Sequence, residues 1–223
     1  MKQAKDKRKT KKILIVDDHP LVRSGIALLI GEEPEWEVCG ECEDAPAAME
    51  AIEKIMPDIV LVDISLRSSN GLGLMRDVKQ RFPNVLMLAI SMHEEATYAK
   101  RSLKAGARGY IMKQEGMESI RGAIRTVLEG KIHVSEAVAQ SIMGGLSENE
   151  PLSESPADRL SNRELEVFEL TGQGLEIQEI AKRMNISPRT VEAHRFHIKQ
   201  KLGLRTGTDI FQQSYEWLRS NKV

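Results

Sequence analysis

Between residues 13 and 130 the chain repeats one alternation, a short apolar run followed by a longer stretch in which apolar positions recur every three or four residues. The runs are "ILIV" from residue 13, "WEVCG" from 36, "DIVLV" from 58, "VLMLAIS" from 85 and "GYIM" from 109. Each has the length of a strand, and the middle ones are apolar throughout, as strands covered on both faces are. Between them Leu21, Ile26, Leu29 and Ile30 fall on one helical face, then Ala48, Ala51, Ile52 and Ile55, then Leu74, Val78 and Phe82. Residues 96–105 and 117–128 complete the series. Strict alternation of β and α predicts an α/β fold: a doubly wound five-stranded parallel sheet in the flavodoxin-like order 2-1-3-4-5, with helices on both faces.

The pattern then changes. A helical segment near 135–143 leads into "GGLSENEPLSESPADR", residues 144–159, where four acidic residues face Arg159 alone; Gly, Ser and Pro at this density read as a linker. Everything beyond is helical in pattern and opens with Ser161 and Glu164 at the spacing of a capping box. In "GLEIQEIAKRMNISPRTVEAHRFHIKQKLGL" two helices meet at a tight turn. Ile177, Ile180, Ala181 and Met184 give the first its apolar face. Ser187 caps the second, Pro188 takes its first position, and Val191, Ile198 and Leu202 turn inward. The predicted organisation is a basic tail over 1–10, an α/β domain over 11–130, a helix and acidic linker over 131–158, and a smaller all-α helix-turn-helix domain over 159–223.

Composition narrows the classes. No apolar run approaches the roughly 20 residues that span a bilayer, and the N-terminal stretch of seven Lys or Arg and one Asp has no apolar core for export, so a cytoplasmic protein without membrane partners is expected. The net charge of -1 excludes a polycation and makes any nucleic-acid surface local. One such surface stands out: residues 187–205 carry Arg189, Arg195, Lys199, Lys201 and Arg205 against Glu192. Cys39 and Cys42 form a C-x-x-C without a second pair to complete a metal site, and they read as two partly buried thiols.

In a doubly wound sheet the chemistry lies beyond the carboxyl ends of the strands. Asp17 and Asp18 follow the first strand, Asp63 ends the third, Ser91 ends the fourth and Lys113 follows the fifth. The strand order brings the three carboxylates to one crevice, where their mutual repulsion calls for a cation; a carboxylate set with room for water suits Mg²⁺. Asp17 and Asp18 would also favour the N-terminus of the helix that Pro20 begins. No G-x-G-x-x-G follows the first strand, so a dinucleotide site has no support.

Asp17, Asp18, Asp63, Ser91, Tyr110 and Lys113 at these strand ends resemble the receiver domain of two-component response regulators. "LSNRELEVFELTGQGL", "EIAKRMNIS" and "TVEAHRFHIKQKLGLR" resemble the LuxR-type helix-turn-helix domain, and together the two look like a response regulator of the NarL/FixJ class. That resemblance implies Asp63 as phosphoacceptor from a sensor histidine kinase, and Mg²⁺ held by Asp17, Asp18, Asp63 and the backbone carbonyl of Ser65. It implies Ser91 and Lys113 on the phosphoryl group, and Ser91 with Tyr110 as the switch. It implies a regulator, not an enzyme, that binds double-stranded DNA as a homodimer once phosphorylation releases or dimerises its C-terminal domain. Glu192, Ala193 and Phe196 would face bases while Thr190, Arg195 and Lys199 hold phosphates. A last helix over 209–218, with Ile210, Phe211, Trp217 and Leu218, suits both core packing and a dimer contact. Leu66-Arg67 stands where receivers commonly have Met-Pro, and Gln114 where Pro often follows the lysine. An aspartate-dependent phosphohydrolase would need a second aspartate two residues after the nucleophile, and Asp63-Ile64-Ser65 lacks it.

Overall fold

A computed structural model describes residues 10–66, 70–93, 95–147 and 156–220. Residues 1–9 of the basic tail, Arg67 and residues 148–155 of the predicted linker lie outside the described residues. The chain divides into two compact units, Met1–Ser147 and Glu148–Val223.

In the first unit the five strands are β1 (Lys11–Val16), β2 (Trp36–Cys42), β3 (Ile59–Asp63), β4 (Leu86–Ser91) and β5 (Gly109–Met112), all parallel in the order β2-β1-β3-β4-β5. β3 is buried at every position and β4 at all but its first, which is why both read as uninterrupted apolar runs. β2 lies at an edge and is mostly half-buried; its register against β1 slips between Ile13 and Leu14, which leaves Cys39 as the extra residue. Both cysteines are free, and burial pushes the Cys42 thiol up to about 11.

The helices are α1 (Pro20–Gly31), α2 (Ala45–Ile55), α3 (Gly71–Arg81), α4 (Glu95–Ala105) and α5 (Met117–Leu128). Ile26, Leu29 and Ile30 of α1 pack with Ile120, Ala123, Ile124 and Val127 of α5 over Ile13, Ile15, Ile59, Leu61 and Ile90 of the sheet. Leu21 corrects the predicted face: it is 86% exposed on the outer side of α1 with Leu28, seven residues on, while its neighbour Val22 packs on the core. Gly71 is a close-approach position. The Asn70 side chain accepts from the amides of Leu72 and Gly73 and starts α3 hard against the end of β3, where a Cβ on residue 71 would come within 2.0 Å of the Asp63 carbonyl. Beyond α5, His133 adds a short parallel bridge outside β5, and α6 (Glu136–Ser147) packs on α4 with Val138 buried.

The second unit holds α7 (Pro156–Arg159), α8 (Asn162–Gly172), α9 (Ile177–Met184), α10 (Pro188–Leu202) and α11 (Gly207–Ser220). The capping box at Ser161 and Glu164 is present in both directions. α9 stops where Asn185 takes a left-handed conformation, and α10 starts three residues on, with the hydroxyl of its cap Ser187 accepting from the Thr190 amide at 3.0 Å. Phe168, Val191 and Ile198 are buried in the core of this unit. Ile210 and Trp217 belong there as well, since α11 packs along α8 with Trp217 and Phe168 rings 5.9 Å apart; the exposed aromatic pair of α11 is Phe211 with Tyr215.

Candidate functional sites: an acidic pocket and a helix-turn-helix face

The sheet brings the predicted residues of the first unit together. Asp63 ends a wholly buried strand and is itself only 3% exposed; Asp17 and Asp18, just past β1, are also buried. One ligand atom each from Asp17, Asp18, His19 and Asp63 lies within 4.8 Å of the others. Lys113, carried in by the end of β5, places Nζ 2.6 Å from Asp17 Oδ2 and 2.7 Å from Asp63 Oδ2. His19 had no sequence signal beyond its neighbours: its Nδ1 lies 2.9 Å from Asp18 Oδ1 and 3.2 Å from Asp17 Oδ1, at the exposed rim.

Burial pushes the Asp63 carboxyl up and Asp17 pushes it further, while Lys113 pulls the other way without prevailing. Burial works against the Lys113 ammonium, yet Asp63 and Asp17 together hold its pKa above the ordinary lysine value, so it stays charged. One ammonium among three carboxylates leaves an excess of negative charge. The donor set fits a hard divalent cation, since oxygens dominate it and they are clustered and buried. The Ser65 amide donates to Asp63 Oδ1 at 3.1 Å, which ties the loop after β3 to that carboxylate.

Ser91 is wholly buried at the end of β4, and Tyr110 on β5 is nearly so. Between them lies a residue the sequence did not single out, His93. Its amide donates to Ser91 Oγ at 3.2 Å and its carbonyl accepts from the Tyr110 hydroxyl at 2.7 Å.

In the second unit Thr190, Glu192, Ala193 and Phe196 are exposed on α10, with Phe196 at 53%, and Lys199 is half-exposed. The Thr190 hydroxyl lies 2.8 Å from the Ser187 hydroxyl and so is tied to the helix cap. Arg195 is half-buried and leans on the start of α11: a Cβ on Gly207 would come within 2.8 Å of its guanidinium, and with Thr171, Leu175 and Phe211 it lines a cavity of about 370 Å³. Glu164 anchors the back of α10 through Lys201 Nζ at 2.6 Å.

An acidic, lysine-bearing pocket on a 2-1-3-4-5 sheet, followed by a helix-turn-helix unit, defines a receiver joined to a DNA-binding domain. Residues 13–125 match the response regulator receiver domain, and residues 158–212 match the bacterial regulatory proteins of the luxR family. The chain belongs to the two-component response regulators with a LuxR-type DNA-binding domain, a family of transcriptional regulators. It is 32% identical to the transcriptional regulatory protein DegU of Brevibacillus brevis, over 93% of this chain and 94% of that one. A solved two-component response regulator of the LuxR family from Aurantimonas sp. SI85-9A1 is 33% identical with a TM-score of 0.57, over 63% of this chain and all of that one. The RcsB response regulator of Salmonella typhimurium is 25% identical with a TM-score of 0.56, over 92% and 97%. Among the described residues no helix is long and apolar enough to cross a membrane.

Proposed function

We propose that Asp63 accepts a phosphoryl group from a phosphohistidine of a sensor kinase, and that this raises the affinity of the C-terminal unit for double-stranded DNA. The observation that carries this reading is Lys113 Nζ, 2.7 Å from Asp63 Oδ2 in a buried pocket open to a hard cation. An Asp63 carboxylate oxygen attacks phosphorus, the bond from phosphorus to the donor nitrogen breaks, and that nitrogen keeps the electron pair. Lys113 and the Ser91 hydroxyl then face the phosphoryl oxygens. Mg²⁺, held by Asp17, Asp18, Asp63 and the Ser65 carbonyl, would supply the remaining charge neutralisation. The pocket serves a switch and the protein is not an enzyme toward other substrates.

For DNA, we assign the exposed Glu192, Ala193 and Phe196 to base edges and Thr190 and Lys199 to phosphates; Arg195 reaches a phosphate only by leaving its seat on α11. The pair Phe211 and Tyr215, stacked at 6.1 Å, is the surface for a homodimer on DNA. The working boundaries are a receiver over 11–130 and a DNA-binding domain over 159–223, in a cytoplasmic protein. Incubation with acetyl phosphate and Mg²⁺ followed by intact-mass measurement tests the central assignment. One acid-labile phosphate is expected on the wild type and none on Asp63→Asn; phosphate on the variant would remove Asp63 from the role.

A further inference from the structure

We propose that His93 is a positioning residue that ties the loop beside Asp63 to the Ser91 and Tyr110 pair, so that the cation seat and the switch move as one body. The inference rests on the reading of the Asp63 pocket given above. Four contacts meet on this one residue: its amide on Ser91 Oγ at 3.2 Å, its carbonyl on the Tyr110 hydroxyl at 2.7 Å, its ring Nε2 2.7 Å from Ser65 Oγ, and its ring stacked on Tyr98 of α4 with centroids 4.4 Å apart. A serine hydroxyl has one proton and two lone pairs, so Ser91 can keep the His93 amide while it donates to a phosphoryl oxygen. Displacement of Ser91 toward Asp63 therefore pulls the His93 peptide, and with it the carbonyl that holds Tyr110. On the other side the ring, steadied by buried Tyr98, holds the Ser65 side chain and so the loop whose carbonyl would serve a bound cation. Neither helical nor strand periodicity marks such a residue, because three of the four contacts cross between elements.

The bond between Ser65 and His93 is tested from both ends. Ser65→Ala keeps the carbonyl and loses the hydroxyl, and His93→Phe keeps an aromatic ring on Tyr98 and loses the hydrogen bond. Mg²⁺ affinity of the unphosphorylated full-length protein is read by titration calorimetry. Each variant is expected to bind Mg²⁺ about fivefold more weakly, the worth of one hydrogen bond, and the double variant no more weakly than either. The thermal midpoint of Ser65→Ala without Mg²⁺ should stay within about 2 °C of the wild type, which a general loss of structure would not permit. Wild-type affinity in either single variant, or effects that add in the double, overturns the proposal. If His93→Phe fails to fold, Ser65→Ala alone decides. A wild type that takes no phosphate would sink the Asp63 reading and leave the calorimetric result to judge His93 by itself.

Discussion

Lys113 occupies space that a cation must share. With its ammonium 2.6 Å from Asp17 Oδ2, it both neutralises the pocket and repels a divalent ion there. Lys113→Ala is therefore expected to strengthen Mg²⁺ binding severalfold while slowing phosphoryl transfer, because the same charge that competes with the metal assists the incoming phosphoryl oxygens. Calorimetry for the metal and intact-mass time courses for the phosphate check the two halves; parallel loss of both would place Lys113 among the metal's supports instead. The carboxylates and the lysine were legible in the sequence because each ends an apolar run, and the end of a strand is a position that can be counted. His19 and His93 were not, since a single histidine in a loop carries no period and its partners come from other elements. Leu21 misled because a single residue's step separates the two faces of a helix: Val22 packs on the core, while Leu21 shares the outer face with Leu28, seven residues on.

At the scale of elements, Glu164 couples the start of α8 to the last turn of α10. Burial on its own would raise the Glu164 carboxyl, but the Lys201 ammonium and the hydrogen bonds from Ser161 outweigh it and hold the pKa below the ordinary glutamate value. A depressed carboxyl stabilises the fold above its unfolded pKa, and that contribution is lost as pH falls through the unfolded value toward the folded one. Glu164→Gln should cost about 1–2 kcal/mol at pH 7, at the modest end because Lys201 is partly exposed, and the gap to the wild type should narrow near pH 4. Thermal melts at the two pH values test this; a constant gap would show that packing and not charge is what the variant removes. The capping box was legible because its two residues are local. The ion pair to Lys201 was not, since it spans 37 residues. Assignment of Ile210 and Trp217 to the core instead of the surface likewise needed α8 in place, because the spacing of apolar residues in α11 is the same for a core face and a partner face.

For the whole molecule, two separately packed units serve one function only if the state of one alters the other. Coupling between such sites is typically about 1–3 kcal/mol, so phosphorylation is expected to raise DNA affinity by roughly 5–150-fold. Contact with phosphates makes that affinity depend on salt: Lys199→Ala should weaken binding to all sequences alike and lower the slope of log K against log salt by about one. A change in sequence preference with an unaltered slope would make Lys199 a reader of bases. The most direct test is the dissociation constant of the full-length protein for duplex DNA carrying its binding site, measured with Mg²⁺ before and after addition of beryllofluoride, with Asp63→Asn alongside. A gain of roughly 5–150-fold in the wild type and none in Asp63→Asn is predicted; equal affinity before and after, or the same gain in both proteins, would contradict control of DNA binding through Asp63.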